Sequence, residues 1–350
     1  MSSVDVVVPC YNYANYLPHC IDSILSQRDT NVRVLILDDA SPDNTPEVAG
    51  QLAASDRRVT YVRNQKNLGL IGTANKGVME WASADYVLLL SADDALTPGA
   101  LARSTALLDA NPDIGLAYGM AFMLHDDGEE LVVDDIAEAG SRVIPGHEFL
   151  QLLCAYGNFV ATSTAVMRTS VQHRVGGYNP RFKHTSDLDM WMRTAAVGSI
   201  GFVDAAQGFY RWHEANMSAG YYHQPADDRL QVVDTCTNFM ETHRHDIPQF
   251  ESWFEDMRVR MGGDLLLYAT KAFERDGDQT WRYSLEVAQR LWPHYWRSPT
   301  WWKFVIKRVL GRKSTRLLQG YLGAEVKHSV KWTDHGNLIG WEGNRKSLTS

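Results

Sequence analysis

The stretch VDVVVPCYN at Val4–Asn12 decides the predicted fold, because a short apolar run ends there in proline and polar residues. Continuously apolar runs of this length are typical of strands buried on both faces of a sheet. The first 125 residues contain five such predicted strands, which are Val4–Val8, Val32–Leu37, Val59–Val62, Tyr86–Leu90 and Ile114–Met120.

Helical patterns separate these runs. The predicted helices are Leu17–Gln27, Pro46–Ala54, Ile71–Trp81 and Pro98–Ala110. We expect Thr97 to cap the last of them, with Pro98 at its first helical position. Alternation of strands and helices at this spacing predicts an α/β fold, in which helices flank a mainly parallel sheet. Such sheets bind their ligands beyond the carboxyl ends of the strands.

The pattern changes further along the chain. We expect a helix near 147–156, a strand near 162–167 and a helix over 188–196. Beyond residue 224 the sequence predicts only helices, including 257–275 and 281–291. The expected organisation is an α/β domain over residues 1–223, a helical C-terminal region over 224–326 and a polar tail over 327–350.

Composition is that of a folded globular protein, with 45% hydrophobic and 22% charged residues. No apolar run reaches the roughly 18 residues that cross a bilayer, and the first residues lack the basic flank of a signal peptide. The four cysteines show no C-x-x-C spacing, which indicates buried free thiols in a reducing compartment. We therefore expect a cytoplasmic protein.

The charge balance argues against nucleic acid as a partner. Residues 1–220 carry 26 acidic and 15 basic side chains, whereas a nucleic-acid-binding domain needs a basic face. An acidic crevice that holds a cation fits this balance better.

Acidic residues follow two of the predicted strands. The segment DDASPDNT at Asp38–Thr45 follows the second strand, and Asp93 and Asp94 follow the fourth. Taken alone, Asp38–Thr45 would equally suit an ordinary turn. Burying several aspartates together is costly unless a cation is shared among them. A hard divalent ion, bound through one or two carboxylates and the phosphates of a substrate, offsets this cost.

Six motifs in this order resemble those of the family 2 glycosyltransferases, which have the GT-A fold. They are Val8–Asn12, Asp38–Ser41, Asn67–Gly69, Asp93–Asp94, Thr185–Arg193 and Tyr210–Ser218. The resemblance extends over about residues 3–220. It implies an inverting enzyme that moves a sugar from a nucleotide-diphosphate donor to an acceptor hydroxyl, with UDP as the default nucleotide. The implied setting is the assembly of bacterial surface polysaccharide or glycoconjugate.

The same resemblance implies roles for single residues. Asp39 would accept the imino N–H of the base, and Tyr11 would stack on the base. Asp93 would reach the ribose or the metal, Asp94 would bind Mg²⁺ or Mn²⁺, and His213 would complete the metal site. The remaining residues assigned to donor binding are Pro9, Asn12, Asn67 and Asn75.

Asp187 is the implied general base, which removes the proton of the acceptor hydroxyl. Two positions depart from the family pattern. Ser91 replaces the first acid of an Asp-x-Asp triplet, and Ser186 replaces the glutamate that often precedes the base. Asp189 is the competing carboxylate, but it would point to a different side of the helix, so only one of the two can face the acceptor. Without the other motifs, Asp187 would be an ordinary acid at a helix start.

The segment Trp292–Gly323 contains seven Lys or Arg residues, four tryptophans and no acid. Helices in the membrane interface have this composition. We expect peripheral contact with the inner face of the cell membrane, where a saccharide or lipid-linked acceptor would be met. The alternative is a packed helix with a solvated basic face.

Other functions fit the sequence less well. A sugar nucleotidylyltransferase would carry a Gly-rich, basic loop after the first strand, but Pro9–Asn15 contains no Gly, Lys or Arg. A nicotinamide dehydrogenase is excluded because no G-x-G-x-x-G follows that strand. A catalytically inactive nucleotide-sugar-binding scaffold is the other alternative, and the presence of Asp94 and Asp187 argues against it.

Overall fold

The computed structural model of the chain describes residues 1–125, 139–213, 216, 224–275, 279–322 and 338–339. These residues fall into two compact units. The first unit contains Met1–His213 and the short strand Leu338–Ile339, and the second contains the helices between residues 224 and 322.

All strands described in the first unit belong to one sheet, whose main order is β3-β2-β1-β4-β8-β6-β9-β5. In addition, β7 pairs with β9, and β10 pairs with β6. The strands are β1 (Ser3–Cys10), β2 (Asn31–Asp38), β3 (Val59–Arg63), β4 (Tyr86–Leu89), β5 (Ala95–Leu96), β6 (Ile114–His125), β7 (Ser141–Ile144), β8 (Val166–Arg168), β9 (Ser199–Trp212) and β10 (Leu338–Ile339).

The helices of the first unit are α1 (Leu17–Leu25), α2 (Thr45–Ser55), α3 (Gly69–Asn75), α4 (Ala100–Ala110), α5 (Gly146–Tyr156), α6 (Thr169–Val175) and α7 (Ser186–Ala195). A π-helical turn, Lys76–Trp81, continues α3, and a 3₁₀ turn, Thr162–Thr164, precedes β8. The second unit contains α8 (Pro225–His243), α9 (Phe250–Glu274), α10 (Thr280–Leu291) and α11 (Pro299–Leu322), with a 3₁₀ turn at Tyr295–Arg297.

The α/β fold class is confirmed, and the five strands predicted in the first 125 residues occur at the expected places. The sheet is parallel from β3 to β4, but β8 runs antiparallel to both β4 and β6, so the whole sheet is mixed. Parallel pairing resumes between β6 and β9. The short strands β5, β7 and β10 and the long strand β9 were not predicted from the sequence.

The core lies on both faces of β1, as its apolar run indicates. Val6 and Val8 on one face and Val7 on the other are fully buried, and Ile36 of β2 and Leu88 of β4 are buried with Val6 and Val8. Complete burial of each such side chain contributes about 1.5–3 kcal/mol, so these strands form the rigid base of the unit. The carboxyl ends of β1, β2 and β4 are thereby held in register with one another.

The start of α4 differs from its prediction. The helix begins at Ala100, after Gly99 in a left-handed conformation with φ of 71°, and not at Pro98. Thr97 does not cap it with its side chain, because its hydroxyl donates to the carbonyl of Ala206 in β9. Pairing of β5 with β9 has displaced the helix start by two residues.

The second unit is held together by aromatic side chains. Phe239 and Phe250 pack with ring centroids 4.8 Å apart, and Phe304 of α11 lies against Phe273 and Trp281. Among the described helices, none combines the length and the apolar character needed to cross a bilayer.

Gly77 lies where the π-helical turn packs directly on β1, so Gly77→Ala should destabilise the fold. A Cβ at this position would lie 2.2 Å from Cγ1 of Val7. Overpacking of this kind costs about 1–3 kcal/mol. Gly50→Ala in α2 is the matched control, since its Cβ would meet nothing within 4 Å and alanine favours a helix. Thermal unfolding checks both variants, and equal Tm values for the two would contradict the packing argument.

Candidate active site

Hydrogen bonds join the loop after β1 to the loop after β2. Asn12 adopts a left-handed conformation with φ of 63°, and its backbone N–H donates to the hydroxyl of Ser41. The N–H of Ala14 donates to Asp43, and the N–H of Asp39 donates to the carbonyl of Cys10. The two loops therefore form one wall at the carboxyl ends of the strands.

Asp39 is buried in this wall, and one of its oxygens is held from two sides. Oδ1 accepts hydrogen bonds from Nδ2 of Asn64 at 3.0 Å and from the N–H of Leu68 at 2.8 Å. Oδ2 receives no hydrogen bond from the part of the chain that the structure describes. Asn64 is itself fixed by the hydroxyl of Thr73 and by Nζ of Lys76. The carboxylate is thus rigidly oriented with one oxygen available.

The other residues assigned to donor binding differ in exposure. The ring of Tyr11 is 48% exposed, so one face can receive a ligand. Asn67 is exposed, and its Oδ1 accepts from the N–H of Gly69 at the start of α3. Pro9 is buried within β1 opposite Leu37, where it shapes the end of the strand.

Asp93 and Asp94 are both buried just after β4, and the end of β9 fixes them. The N–H of Arg211 donates to Oδ1 of Asp94 at 3.0 Å, and Nε of Arg211 donates to the carbonyl of Asp93. Nε2 of His213 lies 3.2 Å from Oδ2 of Asp93. The structure therefore brings together the three residues that were predicted to bind the metal.

An aromatic cluster orients His213. Its ring stacks on Tyr16, with centroids 5.4 Å apart and planes at 6°, and meets the edge of Tyr13. The guanidinium of Arg211 lies over the ring of Tyr16 and also contacts Nδ1 of His19. The sequence analysis did not identify Tyr13, Tyr16 or His19. Their position in the loop beside the Val8–Asn12 motif is the signal that could have indicated them.

The electrostatics of the pair suit a cation. Burial raises the pKa of Asp93, and burial together with the charge of Asp93 raises the pKa of Asp94 well above its usual range. A positive ion would favour the charged forms of both carboxylates. Within the described residues, no group of three or more His, Cys, Asp or Glu side chains is arranged as a complete metal site. Phosphate oxygens of a bound substrate would have to supply further ligands, as they often do for Mg²⁺.

Asp187 occupies the first turn of α7. Its Oδ2 accepts from Nδ2 of Asn158 at 2.7 Å, and its Oδ1 accepts from the N–H of Leu188. Burial raises the pKa of Asp187, although these two hydrogen bonds oppose that shift. Such a carboxylate is oriented and more basic than an ordinary aspartate. Asn158 was missed because it is 29 positions away in the sequence and belongs to no recognised motif.

Asp189 has a structural partner instead. It is 1% exposed and forms an ion pair with Arg193 of the same helix, with an N–O distance of 2.8 Å. Arg193 also donates to the carbonyls of Val175 and Gly177. This network ties α7 to the preceding segment and occupies the Asp189 carboxylate.

Asn75 makes both of its side-chain contacts with Tyr178. Its Oδ1 accepts from the N–H of Tyr178 at 2.6 Å, and its Nδ2 donates to the carbonyl of Tyr178. Burial raises the pKa of Tyr178, and the negative charge of Asp187 adds to this shift. Asn75 thus positions the segment beside Asp187. None of the contacts between described residues joins Asp187 to Asp93 or Asp94. Ser218, the last residue of the sixth motif, lies outside the described residues.

Comparison with known proteins links this geometry to one enzyme family. The family model named Glycosyl transferase family 2 matches residues 5–167. EpsE of Bacillus subtilis, which is named provisionally as a glycosyltransferase, is 30% identical over 204 residues, covering 57% of this chain and 69% of EpsE. The matched range of the family model includes Asp39, Asp93 and Asp94, whereas Asp187 and His213 lie beyond it.

Two solved structures share the fold. TarS 1–349 from S. aureus, in complex with UDP-GlcNAc, gives a TM-score of 0.55 at 15% identity, covering 84% of this chain and 92% of TarS. The mannosyltransferase PcManGT from Pyrobaculum calidifontis, in complex with GDP-Man and Mn²⁺, gives a TM-score of 0.51 at 15% identity, covering 91% and 84%. The GT-A fold expected from the sequence is confirmed.

The different surroundings of the two carboxylates in α7 predict different effects on stability. Asp189→Asn should cost about 3 kcal/mol, because it leaves the charge of Arg193 unpaired in a largely buried position. Asp187→Asn is the matched variant, and it should cost less, because the amide oxygen can still accept from one of the two donors and no charged partner is left unpaired. Denaturant unfolding of both variants measures the difference. Equal losses would show that Asp189 has no special structural role.

Proposed function

Because the chain belongs to glycosyl transferase family 2, we propose that it catalyses inverting, metal-dependent transfer of a sugar from a nucleotide diphosphate to an acceptor hydroxyl. The observation that carries this proposal is the buried pair of carboxylates after β4, which faces the imidazole of His213. Two desolvated acids with raised pKa values form a site prepared for a cation and the phosphates that accompany it.

Donor binding is proposed for the wall formed by the loops after β1 and β2. The free Oδ2 of Asp39 would accept the imino N–H of a pyrimidine base, while Oδ1 remains held by Asn64 and Leu68. The exposed ring of Tyr11 would cover the base. Uridine fits this acceptor, and the complex of TarS with UDP-GlcNAc supports the same choice. Asn12, Asn67 and Pro9 would shape the wall.

The proposed cofactor is Mg²⁺ or Mn²⁺, held by Asp93, Asp94 and His213 together with the donor diphosphate. The donor set fits, since carboxylate oxygens suit both ions and imidazole suits Mn²⁺. When bound, the cation would act as a Lewis acid that stabilises the departing diphosphate. The Mn²⁺ in the complex of PcManGT supports this proposal. The chain contributes by holding the Asp94 carboxylate through the N–H of Arg211 and the Asp93 carboxylate beside His213.

Asp187 is the proposed general base. Asn158 and the N–H of Leu188 hold its carboxylate in one orientation, and burial makes it a stronger proton acceptor. As the acceptor oxygen attacks the anomeric carbon, Asp187 would take its proton. A single displacement inverts the configuration at that carbon. Asp189 is not proposed for this role, because it is buried against Arg193.

The proposed acceptor is a saccharide or a lipid-linked saccharide in the assembly of bacterial surface polysaccharide or glycoconjugate. We place the enzyme in the cytoplasm, at the inner face of the membrane. A panel of nucleotide sugars, tested for donor hydrolysis with and without Mn²⁺, would identify the donor and test the proposed chemistry directly. No hydrolysis of any donor at any metal concentration would count against an active transferase.

Metal dependence has a direct test. EDTA should abolish turnover, and Mn²⁺ or Mg²⁺ should restore it. Asp93→Asn and Asp94→Asn should each weaken binding of UDP in the presence of Mn²⁺ by roughly tenfold or more, because each removes a negative charge from the cation site. Without metal, UDP binding should be unchanged by either substitution. Isothermal titration calorimetry measures both conditions.

Asp22→Asn removes an exposed carboxylate on α1, so it is the control for the loss of one negative charge away from the proposed metal site. Full turnover in chelated protein would refute the role of the metal. Positive side chains would then have to stabilise the leaving group.

Replacing the base gives a second test. Asp187→Asn should lower kcat by a factor on the order of 10² or more and change the KM for the donor little, since only the proton acceptor is lost. In the native enzyme, kcat should fall as the pH decreases through the raised pKa of Asp187, because the protonated acid cannot accept a proton. The variant should lack this acidic limb.

NMR of the product completes this test, and it should show the anomeric configuration opposite to that of the donor. A retained configuration, or normal kcat in Asp187→Asn, would overturn the assignment of Asp187 as the base of an inverting enzyme.

A further inference from the structure

Exposed apolar side chains are concentrated on α11 of the second unit. Of the thirteen large apolar side chains exposed in the described part of the chain, five lie within Trp296–Leu310. Four of them, which we call the outer face of α11, are Trp302, Ile306, Val309 and Leu310, with exposures of 55%, 56%, 81% and 45%. Their spacing of four, seven and eight residues from Trp302 places them on one side of a helix.

The opposite side of α11 is firmly packed. Phe304 is fully buried, with its ring centroid 5.7 Å from that of Phe273 and 5.8 Å from that of Trp281. Lys307 forms an ion pair with Glu274 of α9, and the guanidinium of Arg308 lies over Trp281. The outer face is therefore presented by an anchored helix. Fraying of a loose chain end therefore does not explain why the outer face is exposed.

Charge around the outer face has a single sign. Trp292–Gly323 contains seven basic residues and no acid. Lys307 pairs with Glu274 and is partly buried, whereas Arg297, Lys303 and Arg308 are exposed. Regular helix geometry breaks at Gly311, where φ is 78°, immediately before Arg312 and Lys313. The exposed cations Arg297 and Lys303 thus lie close along the chain to the residues of the outer face.

We propose that the outer face of α11 binds an anionic lipid surface, with the helix lying in the plane of the interface. Aliphatic side chains would enter the acyl boundary, indole rings would lie at headgroup depth, and cations would contact anionic headgroups. Trp296 and Trp302 supply the two exposed indoles. This attachment is independent of the transfer chemistry, and it gives the enzyme a site for lipid that its catalytic unit does not need for donor binding.

Self-association explains the outer face less well. In a two-fold symmetric dimer the same patch meets itself, so the basic segments of two copies would be brought together. Like charges at close range oppose such contact, and no acid within Trp292–Gly323 could offset them. Anionic headgroups have the complementary charge.

Sedimentation with lipid vesicles tests the proposal on the full chain. Vesicles of phosphatidylcholine alone are compared with vesicles that also contain phosphatidylglycerol. Native protein should bind the anionic vesicles preferentially, and salt of about 0.5 M should weaken binding because it screens the cations. The triple variant Trp302→Ser, Ile306→Ser and Val309→Ser should reduce the partition coefficient roughly tenfold or more.

Matched control variants distinguish binding through the outer face from non-specific binding to vesicles. The variant Val143→Ser, Tyr156→Ser and Leu267→Ser removes three apolar side chains of similar exposure elsewhere and should bind as the native protein does. For charge, Arg297→Gln with Lys303→Gln should weaken binding to anionic vesicles, whereas replacing Lys271, an exposed lysine on α9, with Gln should not. Circular dichroism checks that each variant is folded. The salt dependence is measured on the native protein, so that test remains valid even if a variant does not fold.

Several results would overturn the proposal. Native protein that stays in the supernatant with anionic vesicles excludes a lipid site. Equal binding by the outer-face variant and its control assigns the binding to another surface. A native dimer that becomes a monomer in the outer-face variant, measured by light scattering, assigns the face to a second copy of the chain.

Discussion

Two adjacent carboxylates, Asp93 and Asp94, are buried where β4 ends, and the cost of desolvating them governs the organisation of the candidate site. Neither is paired with a lysine or arginine side chain in the described hydrogen bonds. The backbone N–H of Arg211 and the imidazole of His213 hold them instead. These contacts fix the positions of the two carboxylates. A bound cation would stabilise such a site. The buried carboxylates that make the site costly to fold are thus the same groups that are proposed to bind the cation.

The mixed sheet follows from the need to bring Arg211 and His213 to that position. The strand β9 is 14 residues long and pairs with β6 in parallel, with a register shift between Gly119 and Met120. Bulges of this type bend a strand and redirect its end. Pairing of β5 with Gly208 and Phe209 then fixes the segment that follows Asp94 beside the end of β9. The antiparallel strand β8 fills the space between β4 and β6.

Elements with a local signal could be predicted from the sequence, and those fixed by distant contacts could not. The run Val32–Leu37 is apolar throughout, so β2 was evident. By contrast, β9 contains Gly201, Ala205, Ala206 and Gly208, which have little strand preference and become extended through pairing with neighbours. The candidate site shows the same division. Asp39 and Asp93 stand in local motifs, but Asn64 and Asn158, which orient acidic side chains, are recognisable only once the chain is folded.

The helix α7 shows how surroundings, rather than residue type, assign roles to two similar carboxylates. Asp187 and Asp189 lie two positions apart in α7. From the sequence it could be predicted only that their side chains point to different sides of the helix. Folding places Arg193 against Asp189, where its charge is neutralised and its oxygens are occupied. Asp187 accepts hydrogen bonds from two neutral donors, Asn158 and the N–H of Leu188, and these two contacts orient its carboxylate without neutralising it. A general base needs that combination, because a carboxylate held by a guanidinium is a poor proton acceptor. The neutral donors around Asp187 are therefore the physical reason to propose this residue as the base and to give its neighbour a structural role.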